Sequence, residues 1–394
     1  MLIKAVPYSK QNINSKDIRS VKKVLKSEYL TTGPEVKKFE NVISKFVKSK
    51  YSISTNSATS ALHIACLSFG LKKKDIVWTS SISFVASANC AKYCGSSVDF
   101  LDINNETFNI DIDKLKKKLI KAKKNNKLPK ILIPVHLAGS PCDMKSIYNL
   151  SKKYKFKIIE DASHAIGSKY LNTNIGSCKY SDITVFSFHP VKMITTCEGG
   201  VATTNNLKIY KKLKIFREHG IVREKKNFIF NSKIDTHYEQ QYLGYNYRLS
   251  DVHAALGTSQ LKRLKKFIKI RNKIKNTYLR ELKNYPIKFQ KILPNTTCSY
   301  HLLLVNVNKK LRNKFFLYLR NKNIKTNIHY IPIFFHPYYY KKKFLENRNS
   351  INYYYSTLSL PIFYGLKPKT LNYIIKSIKD FFSLKYVRQI YKIK

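Results

Sequence analysis

Residues 14–48 carry helical periodicity broken at Leu30-Thr31-Thr32-Gly33-Pro34, with a second amphipathic helix predicted from near Glu35. Short apolar runs then alternate with helix-period segments. Strands are predicted at 51–54, 76–79, 97–101, 130–135 and 156–160, with helices at 56–71, 84–94, 115–123 and 144–154. Two further strand-like runs follow at 183–188 and 200–204. Residues 224–244 are polar and irregular and read as an inserted loop, of the kind that is often functional. Helical periodicity resumes over 250–284. A strand at 301–306, a helix at 309–321, a strand at 326–330 and a helix at 370–384 complete the pattern.

Strands separated by helices predict an α/β fold with a mainly parallel, mixed sheet, followed by a smaller α+β part. The expected division is a large domain over 1–250, a small domain over 251–385 and a basic, mobile tail over 386–394. Ligands of such sheets gather at the carboxyl ends of the strands.

Charge complicates this picture. Lys+Arg 74 against Asp+Glu 23 gives a formal +51, which raises nucleic-acid binding as a reading. The lysines are spread along the chain among many Asn, Ile and Tyr, with no basic arm, zinc pattern or aromatic RNA-binding signature. That distribution reads as drift in composition on solvated surfaces, so no specific nucleic-acid partner is expected. A positive surface would still draw anionic small molecules. The seven cysteines form no CxxC pair, which argues against a metal or redox centre and suits free thiols in a reducing cytoplasm. No apolar run is long enough for a membrane span, and the first residues do not resemble a signal peptide.

The chemistry-bearing residues sit at predicted strand ends. The run 156–160 delivers Asp161 to its carboxyl end, followed by Ala162-Ser163-His164. A second run ends at Phe188, shortly before Lys192 and Glu198-Gly199-Gly200. A lysine amine condenses with an aldehyde, and a carboxylate facing a pyridine nitrogen keeps that ring protonated and electron-accepting. Ser57-Ala58-Thr59-Ser60 opens a helix, where free backbone N–H groups and the helix dipole favour phosphate.

These segments, in this order, resemble the DegT/DnrJ/EryC1/StrS sugar aminotransferase family of fold-type I pyridoxal-phosphate enzymes. The resemblance includes 30–34, Asn56 to Leu62, Phe84 to Asn89, Glu160 to Gly167, Phe186 to Lys192, Arg217-Glu218-His219-Gly220, 244–251 and Ile328 to Pro332. Within the family, 188–196 and 237–248 are similar to the pseudaminic-acid-pathway branch. That branch aminates C4 of a UDP-linked 4-keto-6-deoxy-N-acetyl-hexosamine of the L-arabino series, with L-glutamate as usual donor and 2-oxoglutarate as co-product.

The resemblance implies pyridoxal 5′-phosphate held by Lys192 and a homodimer with shared active sites. Asp161 is implied to meet the pyridine nitrogen, and His164 the ring or its phenolic oxygen. Phe84 would stack on the ring, and Ala58, Thr59 and Ser187 would hold the phosphate. Asn246 is implied to reach the phosphate bound by the neighbouring subunit. Arg248 would serve a carboxylate or phosphate or brace its loop. Tyr8, Glu28, Tyr29, Leu30, Thr31, His329 and Tyr330 match segments that contact the sugar nucleotide. Perosamine-type amination of another 3- or 4-keto-6-deoxysugar remains an alternative. So do a sugar dehydratase on the same scaffold, which carries histidine in place of the lysine, and a nucleic-acid-binding module. Where Cys197 stands, Gly or Ala is common in the family.

Overall fold

The computed structural model describes residues 5–230, 232 and 234–391. Its centre is a seven-stranded sheet. The strands are β1 (Tyr51–Thr55), β2 (Ile76–Ser80), β3 (Ser97–Leu101), β4 (Ile131–Ile133), β5 (Lys157–Asp161), β6 (Ile183–Ser187) and β7 (Gly200–Thr204). They lie in the order β1-β7-β6-β5-β4-β2-β3, and only β7 runs antiparallel to its neighbours. β6 and β7 are buried at every position. That explains their continuous apolar or small-residue sequences, because a sheet covered on both faces has no polar side to alternate with.

Helices cover both faces: α1 (Ser15–Leu25), α2 (Pro34–Val47), α3 (Ala58–Ser68), α4 (Ala86–Tyr93), α5 (Ile112–Lys124), α6 (Met144–Tyr154) and α7 (Leu207–Arg217). The first break falls where it is predicted, and its anchor is remote in sequence. Asp251, fully buried, accepts N–H groups from Gly33 at 2.8 Å, Glu35 at 2.8 Å and Val36 at 3.3 Å. It therefore caps α2, whose own N-cap residue, Gly33, has no side chain to do so.

The helical run 250–284 is two helices, α8 (Asp251–Leu261) and α9 (Leu264–Glu281), parted at Lys262 and Arg263. α8 lies against α1 and α2, where Gln260 and Ser259 bond the buried Asp17 at 2.7 and 2.6 Å. The rest comprises α10 (Arg312–Asn321), α11 (Arg348–Ser356), α12 (Pro368–Phe382) and α13 (Lys385–Tyr391) around a three-stranded antiparallel sheet. Its strands are β8 (Lys288–Phe289), β9 (Leu303–Asn306) and β10 (Thr357–Leu360). A second apolar core, with Phe315, Leu358, Ile374 and Phe381, fills this part.

Four expectations are corrected. Residues 326–330 form no strand: the segment meets the free edge of β10 at a single bridge, Asn327 to Ser359, and pairs no further. The segment is thereby left to carry His329 and Tyr330 toward the main sheet. α4 begins at Ala86, so Phe84 precedes the helix and is exposed. Residues 224–244 are not wholly irregular: Glu239 accepts the N–H groups of Ile229 and Phe230 at 2.7 Å each, beside a two-residue ladder with Ile221–Val222. The tail is ordered as α13 as far as Tyr391. Val387 is fully buried in the second core, and the Tyr391 hydroxyl accepts the Asn308 N–H at 2.7 Å. Residues 392–394 lie outside the described residues.

Candidate active site

β5 and β6 end side by side at one cavity of about 370 Å³. Asp161 ends β5, is 5% exposed, and is held from two sides. Ser87 Oγ donates to Oδ2 at 2.6 Å and the Ser163 N–H to Oδ1 at 3.1 Å. Next to it in sequence, Glu160 meets the buried His136 Nε2 at 2.7 Å. The Cys142 N–H donates to His136 Nδ1 at 3.1 Å, so that nitrogen is an acceptor and Nε2 carries the proton given to Glu160. The His136 N–H in turn bonds the Asp161 carbonyl at 3.1 Å. The carboxylate facing the cavity thus sits on backbone pinned from behind.

Lys192 lines the same cavity. Burial brings its amine down to about 8, against the opposing pull of Asp161. The neutral amine that a nucleophile requires is therefore far more populated near physiological pH than in an ordinary lysine, though the protonated form is still the major one.

The third wall is the start of α3. Ser57 caps it by accepting the Ser60 N–H at 3.1 Å. The Ala58 and Thr59 N–H groups have no partner among the described residues, nor do the hydroxyls of Thr59 and Ser187, and all three residues line the cavity. Gly200 lets β7 approach this turn: a Cβ there would lie 2.5 Å from Ala58 N and 2.5 Å from the Ser57 carbonyl carbon and oxygen. Two free N–H groups, two free hydroxyls and a helix N-terminus fit a phosphate monoester. A carboxylate and a partly neutral lysine beside them fit an aromatic aldehyde bearing a basic ring nitrogen. The residues present therefore suit pyridoxal phosphate.

The remaining wall comes from the C-terminal part. Tyr330 Oη lies 3.0 Å from His164 Nε2, while the Ala138 N–H donates to His164 Nδ1 at 3.2 Å. His164 is held well below its ordinary pKa by burial, then by Lys192 and His329, so it is neutral. Since Nδ1 accepts, Nε2 bears the proton and Tyr330 accepts it, leaving the tyrosine hydroxyl proton free to point elsewhere. His329 packs its ring 5.1 Å from that of Tyr8, and its Nδ1 meets Ser359 Oγ at 2.8 Å.

Of the residues singled out from sequence, Tyr8, Ala58, Thr59, Phe84, Asp161, His164, Ser187, Lys192, His329 and Tyr330 line the cavity. Six do not. Glu28, Tyr29, Leu30 and Thr31 are exposed on the loop before α2, with Thr31 bridged to Ser250. Asn246 is exposed and bridged to Glu218, and Arg248 is half-buried outside the cavity. Ser87 and His301 belong to the site and were not singled out, and Gly200, noted only within its Glu-Gly-Gly motif, sets the close approach of β7. Ser87 lies in the matched segment 84–89, but its partner Asp161 is distant in sequence. Cys197 has φ 67°, a left-handed conformation that explains why glycine is common at that position.

The sheet order, with acid and lysine at adjacent strand ends, defines a fold-type I aminotransferase. The chain belongs to the DegT/DnrJ/EryC1/StrS aminotransferase family, whose profile matches residues 11–379. It is 38% identical over 375 residues to a UDP-4-amino-4,6-dideoxy-N-acetyl-beta-L-altrosamine transaminase of Campylobacter jejuni, covering 94% of this chain and 95% of that one. The Helicobacter pylori aminotransferase PseC, described as involved in pseudoaminic acid biosynthesis, superposes with a TM-score of 0.85 at 30% identity, covering 96% and 99%. A putative sugar aminotransferase, Spr1654 of Streptococcus pneumoniae, solved in its PMP form, is 26% identical with a TM-score of 0.86, covering 95% and 98%. Among the described residues no helix is long and apolar enough to cross a membrane.

Proposed function

We propose that this chain is a pyridoxal-phosphate-dependent aminotransferase that converts UDP-2-acetamido-2,6-dideoxy-beta-L-arabino-hex-4-ulose to its 4-amino sugar, with L-glutamate as donor. The observation that carries the reaction class is Lys192 and Asp161 at neighbouring strand ends, facing one cavity beside an open phosphate cradle. The sugar rests on the 38% identity to the altrosamine transaminase.

Bound in this cavity, pyridoxal phosphate supplies an aldehyde that exchanges amines and a ring that accepts electrons. The protein's part is to hold and to move protons. The Ala58 and Thr59 N–H groups and the Thr59 and Ser187 hydroxyls hold the phosphate. Asp161, oriented by Ser87, keeps the ring nitrogen protonated. Lys192 would tether the group, and its amine when free would be the base that moves a proton at the substrate carbon. Its lowered pKa leaves it able to do so near pH 8. Phe84 covers a ring face, His164 adjoins the ring or its phenolic oxygen, and Tyr330, its hydroxyl proton free, is a contact for the sugar nucleotide. Tyr8, Glu28, Tyr29, Leu30, Thr31 and His329 meet the sugar nucleotide. Asn246 and Arg248, which lie outside their own chain's cavity, serve that of a second copy in a homodimer. The division into a cofactor-binding part over 1–250 and a smaller part over 251–385 belongs to the same proposal.

A second reading has its own support: GDP-perosamine synthase of Escherichia coli O157:H7 is 29% identical over 97% of this chain and 100% of that one. An amination assay with UDP-, GDP- and dTDP-linked keto-sugars separates the two. Glutamate-dependent turnover of the UDP-4-keto sugar is expected. Turnover confined to a GDP- or dTDP-sugar would overturn the substrate assignment and leave the reaction class standing.

A further inference from the structure

Among the polar side chains that line the cavity with no role above, His189 and Glu198 are exposed and Ser83 is bonded to Ser87, whereas His301 is buried and unbonded. His301 lies just before β9, is 2% exposed and lines the cavity. Its ring packs 4.5 Å from that of His164. Of the three buried histidines there, His164 and His329 each have a hydrogen-bonded ring nitrogen. His301 has none among the described residues. Nδ1 is shut off from solvent without a partner, and Nε2, equally without one, keeps contact with the cavity. The sealed Nδ1 is out of a ligand's reach; Nε2 is the nitrogen a bound molecule can meet, and on a side chain only 2% exposed its lack of a protein partner points to one that arrives with a ligand.

The surroundings select the kind of partner. Arg271 stands directly behind, its Nη1 donating to the carbonyls of Tyr300 at 3.1 Å, His301 at 3.1 Å and Ile362 at 2.8 Å. No carboxylate pairs with Arg271 among the described residues. Lys192, on the cavity side, adds a second positive group. Burial first, then His164, Lys192, Arg271 and His329, hold His301 far below its ordinary pKa, so it is a neutral imidazole in a positive field. Since neither nitrogen is committed, it can adopt the tautomer with the proton on Nε2. A neutral donor in a positive field favours an anionic oxygen. Among the described residues no arginine of the same chain lines the cavity, and Arg248, placed at the cavity of a second copy, is the competing group for a carboxylate.

We propose that His301 is a hydrogen-bonding contact for an oxyanion bound in this cavity, either the carboxylate of the amino donor or the phenolic oxygen of the cofactor. The proposal rests on the aminotransferase reading, and its test keeps the two apart. Wild type and the variants His301→Phe, which keeps an aromatic ring without donors, and His301→Gln, which keeps an N–H at similar reach, are loaded with pyridoxal phosphate. The visible band is followed against pH, the cofactor Kd by fluorescence quenching, and KM for glutamate and for the sugar nucleotide separately.

If the donor carboxylate is the partner, His301→Phe raises glutamate KM at least tenfold, leaves sugar KM and the visible band unchanged, and His301→Gln restores most of the loss. If the cofactor oxygen is the partner, His301→Phe shifts the band or weakens cofactor Kd tenfold, again with recovery in His301→Gln. His301→Phe within twofold of wild type on every readout overturns the proposal, as does equal loss in both variants. Should His301→Phe fail to fold, His301→Asn, whose N–H is too short to reach the cavity, takes its place under the same criteria. A wild-type protein showing no visible band with the cofactor counts against the proposed function, whereas a normal band with indifferent variants counts against His301 alone.

Discussion

Gly200→Ala adds one methyl group where the phosphate cradle touches β7. The new Cβ would sit 2.5 Å from Ala58 N and 2.5 Å from Ser57 C and O. All three are backbone atoms, so no side-chain rotation relieves the overlap. Carbon contacts settle near 3.5–4.0 Å, so strand and helix start must separate by about 1 Å. Overpacking of this kind costs about 1–3 kcal/mol, opposite in sign to the roughly 0.4–1 kcal/mol that a tolerated Gly→Ala change contributes through the unfolded chain. The same displacement carries the Ala58 and Thr59 N–H groups out of range of a phosphate. Loss of one charge-assisted hydrogen bond, about 1.5–3 kcal/mol, corresponds to roughly ten- to a hundredfold weaker cofactor binding. Denaturant unfolding of the cofactor-free protein reads the first effect, and absorbance titration with pyridoxal phosphate the second. A variant as stable as wild type, with unchanged cofactor Kd, would refute the assignment of the α3 turn as the phosphate site.

Three further outcomes follow from the geometry. Lys192 titrates near 8 when folded and near 10.4 when unfolded, so the unfolded chain binds the extra proton between these values. The stability of the cofactor-free protein therefore gains over that window as pH rises, relative to Lys192→Ala, and a pH series of unfolding midpoints in both proteins checks this. Tyr330→Phe removes the acceptor of the His164 Nε2 proton and the free hydroxyl donor together; it is expected to destabilise by about 1–3 kcal/mol and to lower kcat, measured by denaturation and steady-state kinetics. Val387→Asp puts a charge into the second core from a tail that reads as mobile; a loss of several kcal/mol in denaturant unfolding is expected, whereas a mobile tail would show none.

The parts of the fold that were legible are those where burial leaves a direct imprint. β6 is mostly apolar because both faces of the sheet are covered, Ile158 and Ile159 mark β5 in the same way, and the ends of the two strands lead to Asp161 and Lys192. The helix opening at Ala58 was legible from its cap. The C-terminal part was harder to read. Residues 326–330 alternate like a strand, but they touch the free edge of β10 at one bridge only, which the alternation does not reveal. β10 escaped notice because it is short and has Ser and Thr at alternate positions, which are buried here. Residues 386–391 look like a solvated basic tail because Val387 is the fully buried residue in a run with Arg388, Gln389 and two tyrosines, flanked by lysines in the sequence. His301 resembles an ordinary core histidine in an apolar segment. Its difference lies in what fails to bond it, and only the assembled cavity reveals that. The loop residues 28–31 and the pair Asn246 and Arg248 carry family motifs, yet one chain alone does not bring them to the cavity.

The central claim is that Lys192 is the amine that binds the cofactor aldehyde. Borohydride reduction of the protein incubated with pyridoxal phosphate, followed by peptide mass mapping, tests it directly. One phosphopyridoxyl group per chain on the peptide containing Lys192, and none on that peptide in Lys192→Ala, is the expected result. Labelling scattered over surface lysines with Lys192 unmodified, or full turnover by Lys192→Ala, would contradict it.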